Sequence, residues 1–292
     1  MSTLVSVWGS VRDRLRAAGV ETPVFDARLL LEAGAGVSRT DIVTDPQRVL
    51  SEDQLAGIEP LVRRREAREP VSHILGRKAF WTLELAITPD VLTPRPETEL
   101  LVEMGLEQLD FAAPARVLDL GTGSGAVLCA LLNARPLASG VGVDVSPAAL
   151  AVAQANAAAL GLEGRTDWIE GDWSAAQGAF DYVASNPPYI RTDAIDLLPP
   201  EVGRYEPRLA LDGGPDGLDS YRFIMPLLPG LLTPEGVFAV EIGAGQAEAV
   251  WALADEAGLQ PAGVRRDLAG HSRVVWGRGR PAALGGAKWE AT

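Results

Sequence analysis

Leu4, Trp8, Val11 and Leu15 recur at the three-to-four spacing of an amphipathic helix, and Gly19 ends the run. A second helix is predicted after Pro23, with Phe25, Leu29 and Leu30 as its apolar stripe; residues 41–49 show no period. Ser51 followed three residues on by Gln54 is a capping-box pattern, and it opens a helix bearing Leu55, Ile58, Leu61 and Val62 that ends near Pro70. The period then falls to two. Trp81, Leu83, Leu85 and Ile87 alternate with Thr82, Glu84 and Ala86, which predicts a strand; Pro89-Asp90 reads as its turn and 91–93 as a hairpin partner. Pro94-Arg95-Pro96-Glu97-Thr98-Glu99 starts a helix, because proline suits the first turn and the two glutamates suit the positive end of the dipole. From residue 116 onward apolar strands alternate with helices: strands at 116–120, 141–145, 167–170, 182–185 and 236–241, helices at 126–134, 147–160, 221–232 and 246–257. That alternation predicts an α/β fold on a parallel sheet. Residues 260–266 and 272–276 read as a terminal hairpin, after which periodicity is lost.

These changes of pattern divide the chain into a small helical bundle (1–78), a β-hairpin connector (79–96), a nucleotide-type domain (97–277) and a tail expected to be disordered (278–292). With 292 residues, 47% apolar and 22% charged, the composition is that of an ordinary globular protein of one large and one small domain. The net charge of −13 argues against a general binder of phosphate backbone, so stable nucleic-acid binding is not expected. Cys129, alone and in an apolar run, excludes an internal disulfide and a cysteine-rich metal site; its role is packing, and no metal is expected. Neither a signal peptide nor an apolar run long enough for a membrane span is present, so the expected location is cytoplasmic, with no membrane partner. Arg63, Arg64, Arg65 and Arg68 read either as a solvated face suited to the helix end or as a docking patch for a macromolecule. His73 and His271 read as structural.

Four loops carry the candidate chemistry. The strand ending at Leu120 runs into Gly121-Thr122-Gly123-Ser124-Gly125, where glycines permit a sharp turn and close backbone approach to a ligand. The third glycine comes one residue too early for the dinucleotide fingerprint, and the loop instead resembles that of class I S-adenosylmethionine-dependent methyltransferases. Asp144, 19 residues past Gly125 at the end of the next strand, reads either as an acceptor for ribose hydroxyls or as the N-cap of the helix from Pro147. Asp172 is placed to accept from an adenine amino group, and Trp173 either covers or edges that ring or packs in the core. Asn186-Pro187-Pro188-Tyr189 closes the fourth strand. Asn186 brings an amide oxygen, Pro187 a carbonyl in a stiff frame, and Tyr189 a flat wall; together they suit a planar NH2 group, although Asn-Pro and Pro-Pro are also ordinary turn signals. In an open parallel sheet the carboxyl edge of the strands is where ligands bind, and all four loops leave that edge. The long segment 190–219, rich in proline and glycine, is expected to form a lid or substrate wall.

Taken together, Phe80-Trp81, residues 94–99, Asp119 to Gly125, Asp144, Asp172-Trp173, Asn186 to Tyr189, Tyr205-Glu206-Pro207 and Gly213-Gly214 resemble the protein-(glutamine-N5) methyltransferases of peptide chain release factors, over about residues 1–277. The resemblance implies a Rossmann-like domain with a seven-stranded, mostly parallel sheet, preceded by a helical domain that helps bind the factor. It implies S-adenosyl-L-methionine as methyl donor and, as acceptor, the glutamine of a Gly-Gly-Gln motif. Carried over, Gly121, Thr122, Gly123, Ser124, Gly125, Asp144, Trp173 and Asn186 would bind the cofactor. Asn186, Pro187, Pro188 and Tyr189 would hold the substrate glutamine, with Asn186, Pro187 and Tyr189 catalytic. His271 stands where the family usually has a different residue. Other acceptors with the same planar NH2 stay open at this stage: the exocyclic amine of a nucleic-acid base, or a glutamine of a ribosomal protein. So does a non-catalytic cofactor-binding module.

Overall fold

The computed structural model describes residues 2–279, which form two compact units. The first runs to residue 78 and includes 87–89 and 197–206; the second comprises 79–86, 90–196 and the chain from 207.

The first unit is helical: α1 (Leu4–Ala17), α2 (Pro23–Ala35), α3 (Arg39–Thr44), α4 (Glu52–Glu66) and α5 (Val71–Leu75). Leu4, Leu15, Leu30, Leu31 and Val62 are fully buried at its centre. The capping box at Ser51 forms as predicted. A second one, Ser38 with Asp41, starts α3 where the sequence shows no period. The predicted face of α2 is displaced. Phe25 is half exposed, with the Arg28 guanidinium 4.9 Å from its ring centroid, while Asp26 next to it is buried. The reason is an ion pair: Arg65 Nε donates to Asp26 Oδ2 at 2.7 Å, and Arg65 is itself only 4% exposed. Arg65 and Arg68 also both reach Glu201, at 2.9 and 2.6 Å. Arg63 and Arg64 pair with Glu59 and Glu69. The arginine cluster therefore divides: Arg65 and Arg68 belong to a carboxylate network inside the unit, not to a solvated face.

β1 (Arg77–Phe80) and β2 (Leu83–Ala86) pair with each other as a two-stranded sheet. Trp81, at φ 53°, makes the turn between them. The hairpin partner thus lies upstream of the alternating run, and residues 91–93 form no strand; Val91 is instead buried.

The second unit holds α6 (Glu99–Gln108), β3 (Ala115–Leu120), α7 (Ala126–Ala134), β4 (Ala138–Asp144), α8 (Pro147–Ala159), β5 (Thr166–Glu170) and β6 (Phe180–Ser185). The one-turn helix α9 (Pro200–Gly203) belongs to the first unit. The second unit resumes with α10 (Asp219–Ile224), α11 (Leu228–Leu231), β7 (Leu232–Glu241), α12 (Ala247–Glu256), β8 (Leu259–Arg266) and β9 (Ser272–Gly279). The sheet has seven strands in the order β5-β4-β3-β6-β7-β9-β8. β5 through β7 are parallel; β9 runs antiparallel to both β7 and β8. Ala126 to Leu132 of α7 are all buried, which is why this helix is apolar all round. Among them Cys129 is sealed, and burial pushes its thiol up to about 12, leaving it a packing residue. The helix predicted at 221–232 is shorter and broken, and the last strand extends to Gly279, so residues 278 and 279 belong to the sheet rather than to a tail. The rest of the tail expected to be disordered lies outside the described residues.

Candidate active site

β3 lies between β4 and β6, and the chain leaves it outward through β4 and β5 before returning as β6 on its other side. Leu120 pairs with Ser185, so the loops that start at Gly121 and Asn186 are neighbours at the carboxyl edge. At such a switch point loops diverge and leave a crevice. A cavity of about 270 Å³ fills it, bordered by Gly121, Gly123, Asp144, Trp173, Asn186 and Pro188. Val91 and Leu92 wall one part, and Leu209, Ala210 and Asp212 of the long segment after β6 wall another.

The glycine loop is wired to the strand beside it. Gly121 and Thr122 donate their N–H groups to the Val143 carbonyl at 2.8 and 3.0 Å. Gly123 N–H then donates to Asp144 Oδ2 at 2.9 Å, and Ser146 N–H donates to Oδ1 at 2.9 Å. Each carboxylate oxygen keeps a lone pair for another donor. Of the two readings of Asp144, helix capping falls instead to Ser146, whose hydroxyl accepts from Ala149 N–H. Gly123 and Gly125 hold φ at 55° and 77°, where side chains are strained. A Cβ on Gly125 would also stand 3.1 Å from that of Ala153, so the glycine lets α7 start close against α8.

The five loop residues do not all face the same way. Gly121 and Gly123 border the cavity, whereas Thr122 and Ser124 are buried. Thr122 Oγ1 donates to Asp119 Oδ2 at 2.7 Å, and burial pushes the Asp119 carboxyl up to about 6. The Ser124 carbonyl accepts from Asn156 Nδ2 at 2.9 Å. Asp172 borders the cavity and also caps its own turn: Oδ1 accepts the Ser174 N–H and hydroxyl, which holds the carboxyl below the usual range. Trp173 borders the cavity, packs partly buried against the core, and meets the exposed Phe223 ring edge-on at 5.6 Å.

The tetrapeptide after β6 is set by a chain of three hydrogen bonds. Asn186 Nδ2 donates to Thr98 Oγ1 at 3.0 Å, Thr98 Oγ1 donates to Glu241 Oε2 at 2.6 Å, and the Tyr189 hydroxyl donates to Glu241 Oε1 at 3.3 Å. Glu241 is 1% exposed, and burial pushes its carboxyl up to about 7. Burial and the nearby Glu241 push the Tyr189 phenol up as well. The Pro188 carbonyl accepts from the Ser220 hydroxyl at 2.7 Å. Asn186 and Pro188 border the cavity, and Pro187 and Tyr189 flank Pro188 in the chain. Ile190 and residues 211–213 then exchange N–H···O bonds of 2.9 and 2.8 Å, bracing the tetrapeptide from outside.

Residues 7–76 match the family model described as the PrmC N-terminal domain, and residues 97–198 match the methyltransferase small domain. A release factor glutamine methyltransferase of Caulobacter vibrioides is 52% identical over 281 residues, covering 96% of this chain and 97% of that protein. The chain belongs to the release factor glutamine methyltransferase family. A second member, from Rhodospirillum rubrum, is 49% identical over 92% of this chain and 83% of its own. Among solved structures, the hMettl16 catalytic domain in complex with the MAT2A 3'UTR hairpin 6 has a TM-score of 0.54 at 13% identity, over 75% of this chain and 81% of that one, a likeness of fold.

In this member of the release factor glutamine methyltransferase family, four residues matter that the sequence reading did not single out. Thr98 and Glu241 complete the chain from Asn186. Asn156 ties the glycine loop to β2, exchanging bonds of 2.7 and 3.1 Å with the Ala86 N–H and carbonyl. Gln246 donates to the Tyr189 and Gly217 carbonyls, both at 3.0 Å. The partners named here lie between 29 and 143 residues away in sequence, although Gln246 also accepts the N–H of Gly243 three residues before it. At the sequence level Thr98 stands inside the 94–99 stretch that carries the resemblance, and the charge of Glu241 ends the apolar run Val237 to Val240.

Proposed function

We propose that this chain transfers a methyl group from S-adenosyl-L-methionine to the side-chain amide nitrogen of the glutamine in the Gly-Gly-Gln motif of a peptide chain release factor, in the cytoplasm. The observation that carries the reading is the Asn186 amide. It donates to Thr98 and belongs to a residue that borders the cavity, and in this reading its oxygen is the end offered to a ligand there. The donor set fits the cofactor. Gly121 and Gly123 offer a floor without side chains, and a Cβ on Gly123 would meet nothing within 4 Å. Asp144 offers two fixed oxygens for a ribose, and Trp173 an aromatic face or edge for a base. When bound, S-adenosyl-L-methionine supplies a methyl on a positively charged sulfur.

The chain's own part is orientation. A carboxamide nitrogen is a poor nucleophile because its lone pair is delocalised. In this proposal the Asn186 Oδ1 and the Pro187 carbonyl accept its two N–H groups, and Tyr189 shields the amide from water. The nitrogen is left facing the methyl at attack distance, where positioning alone lowers the barrier by several kcal/mol, of the order of 7 or more. The amide nitrogen held this way would take the methyl that the bound cofactor supplies as a leaving thioether departs, and the N-methylated amide, then a strong acid, would release its proton to water. The helical unit, which carries the PrmC N-terminal match, would dock the release factor.

Two measurements test this. Mass spectrometry of a release factor incubated with the enzyme and cofactor should find one added methyl on the Gly-Gly-Gln glutamine; label appearing in RNA or DNA instead would overturn the assignment. Asn186→Ala should lose at least about 100-fold in turnover. Turnover near that of the wild type would reject the mechanism.

A further inference from the structure

Resting on that reading, we propose that Thr98 and Glu241 are positioning residues that decide which way the Asn186 carboxamide faces. The two flips of an asparagine amide have nearly the same shape and differ only in which end donates. A threonine hydroxyl has one proton. At 2.6 Å from Glu241 Oε2, which only accepts when the carboxylate is ionised, that proton is then committed. Thr98 Oγ1 is then an acceptor for anything on its other side. The group 3.0 Å away must be a donor, so Asn186 presents Nδ2 to Thr98 and Oδ1 to the opposite side, where an incoming NH2 needs an acceptor. One buried negative charge thus sets the polarity of the site through two hydrogen bonds, without touching the substrate.

The same wiring makes the polarity depend on pH. Thr98 faces Glu241 from the start of α6 and Tyr189 from the loop after β6. Glu97 raises its proton affinity, and Arg273 of β9 lowers it. Burial is the largest influence and places the carboxyl near 7. A protonated Glu241 can donate to Thr98, which frees the threonine proton for Asn186 Oδ1 and turns the amide over. The site would then meet the substrate NH2 with an NH2 of its own.

The test uses the full chain with a release factor as substrate. Thr98→Val should lower kcat roughly tenfold to 100-fold, with KM for the release factor and affinity for S-adenosylhomocysteine within about threefold of the wild type. Thr98→Ser, which keeps the hydroxyl, should restore kcat to within about threefold. Glu241→Gln, whose amide can turn either end to Thr98, should fall between the wild type and Thr98→Val in kcat and lose the acid limb. Wild-type kcat should fall on the acid side near pH 7, a limb that Thr98→Val lacks. A Thr98→Val enzyme within twofold of the wild type, or a Thr98→Ser enzyme as slow as Thr98→Val, would overturn the proposal. A readout free of turnover guards against misfolding of the variants. The Asn186 side-chain NH2 in a ¹⁵N spectrum of the wild type should be held at about pH 8 and released below about pH 6; no change between them is equally fatal. Should the wild type put no methyl on the glutamine, the functional reading fails, and the spectrum still decides the orientation.

Discussion

A carboxylate sealed at the end of a strand leaves a mark on stability as well as on chemistry. Glu241 is raised from an ordinary 4.5 to about 7, chiefly by burial. Between those values the folded chain still holds a proton that the unfolded chain has released. Stability therefore falls as pH rises through the window, and above about pH 7 the fold carries the whole cost, about 3 kcal/mol. Glu241→Gln should remove that slope. Subtracting its denaturation free energies from those of the wild type between pH 4 and 8 should give a difference that grows with pH in favour of the variant; a flat difference would contradict it. At this scale the asparagine was legible because its neighbours in the chain advertise it: two prolines and a tyrosine follow at once. Glu241 was not, because what gives it meaning is a threonine 143 positions earlier.

Elements were legible where continuous apolar runs are bounded by glycine, proline or charge. The strands and helices from 116 to 160 are such runs, and they stand within three residues of where those bounds put them. The misreadings have tertiary causes. α2 turns Phe25 outward because Asp26 must reach Arg65, and β2 pairs upstream because Trp81 accepts a left-handed turn. Asn156 on α8 shows how far such causes extend. Its three hydrogen bonds join the helix, the glycine loop and β2, none of which signals the others in sequence. Asn156→Ala would strand a buried carbonyl and leave the Ala86 N–H without its partner, at a cost of about 1–3 kcal/mol. Denaturation should register that loss. S-adenosylhomocysteine should also bind more weakly, although Asn156 does not border the cavity; unchanged affinity would show that the loop stands without its tether.

For the whole molecule the dominant quantity is a net charge of −13. A body of net negative charge attracts a basic partner from a distance and repels polyanions, and salt screens both effects within about a nanometre. The proposed reaction should accordingly show kcat/KM for the release factor falling as salt rises, while kcat holds steady, since steering acts on encounter and not on the bound complex. A salt-independent kcat/KM would mean that contact chemistry alone selects the partner. Composition made this property readable from the start, whereas the pairing of Arg65 and Arg68 with Glu201 depended on a segment far along the chain returning to the helical unit. Asp144 shows what the folded whole adds to a residue that composition could never rank. Backbone N–H groups from two separate turns grip its carboxylate, so its torsions are already set. Under the proposed function a ribose would meet it without reorganisation, and whatever loosens either turn would be felt first as slack in that contact.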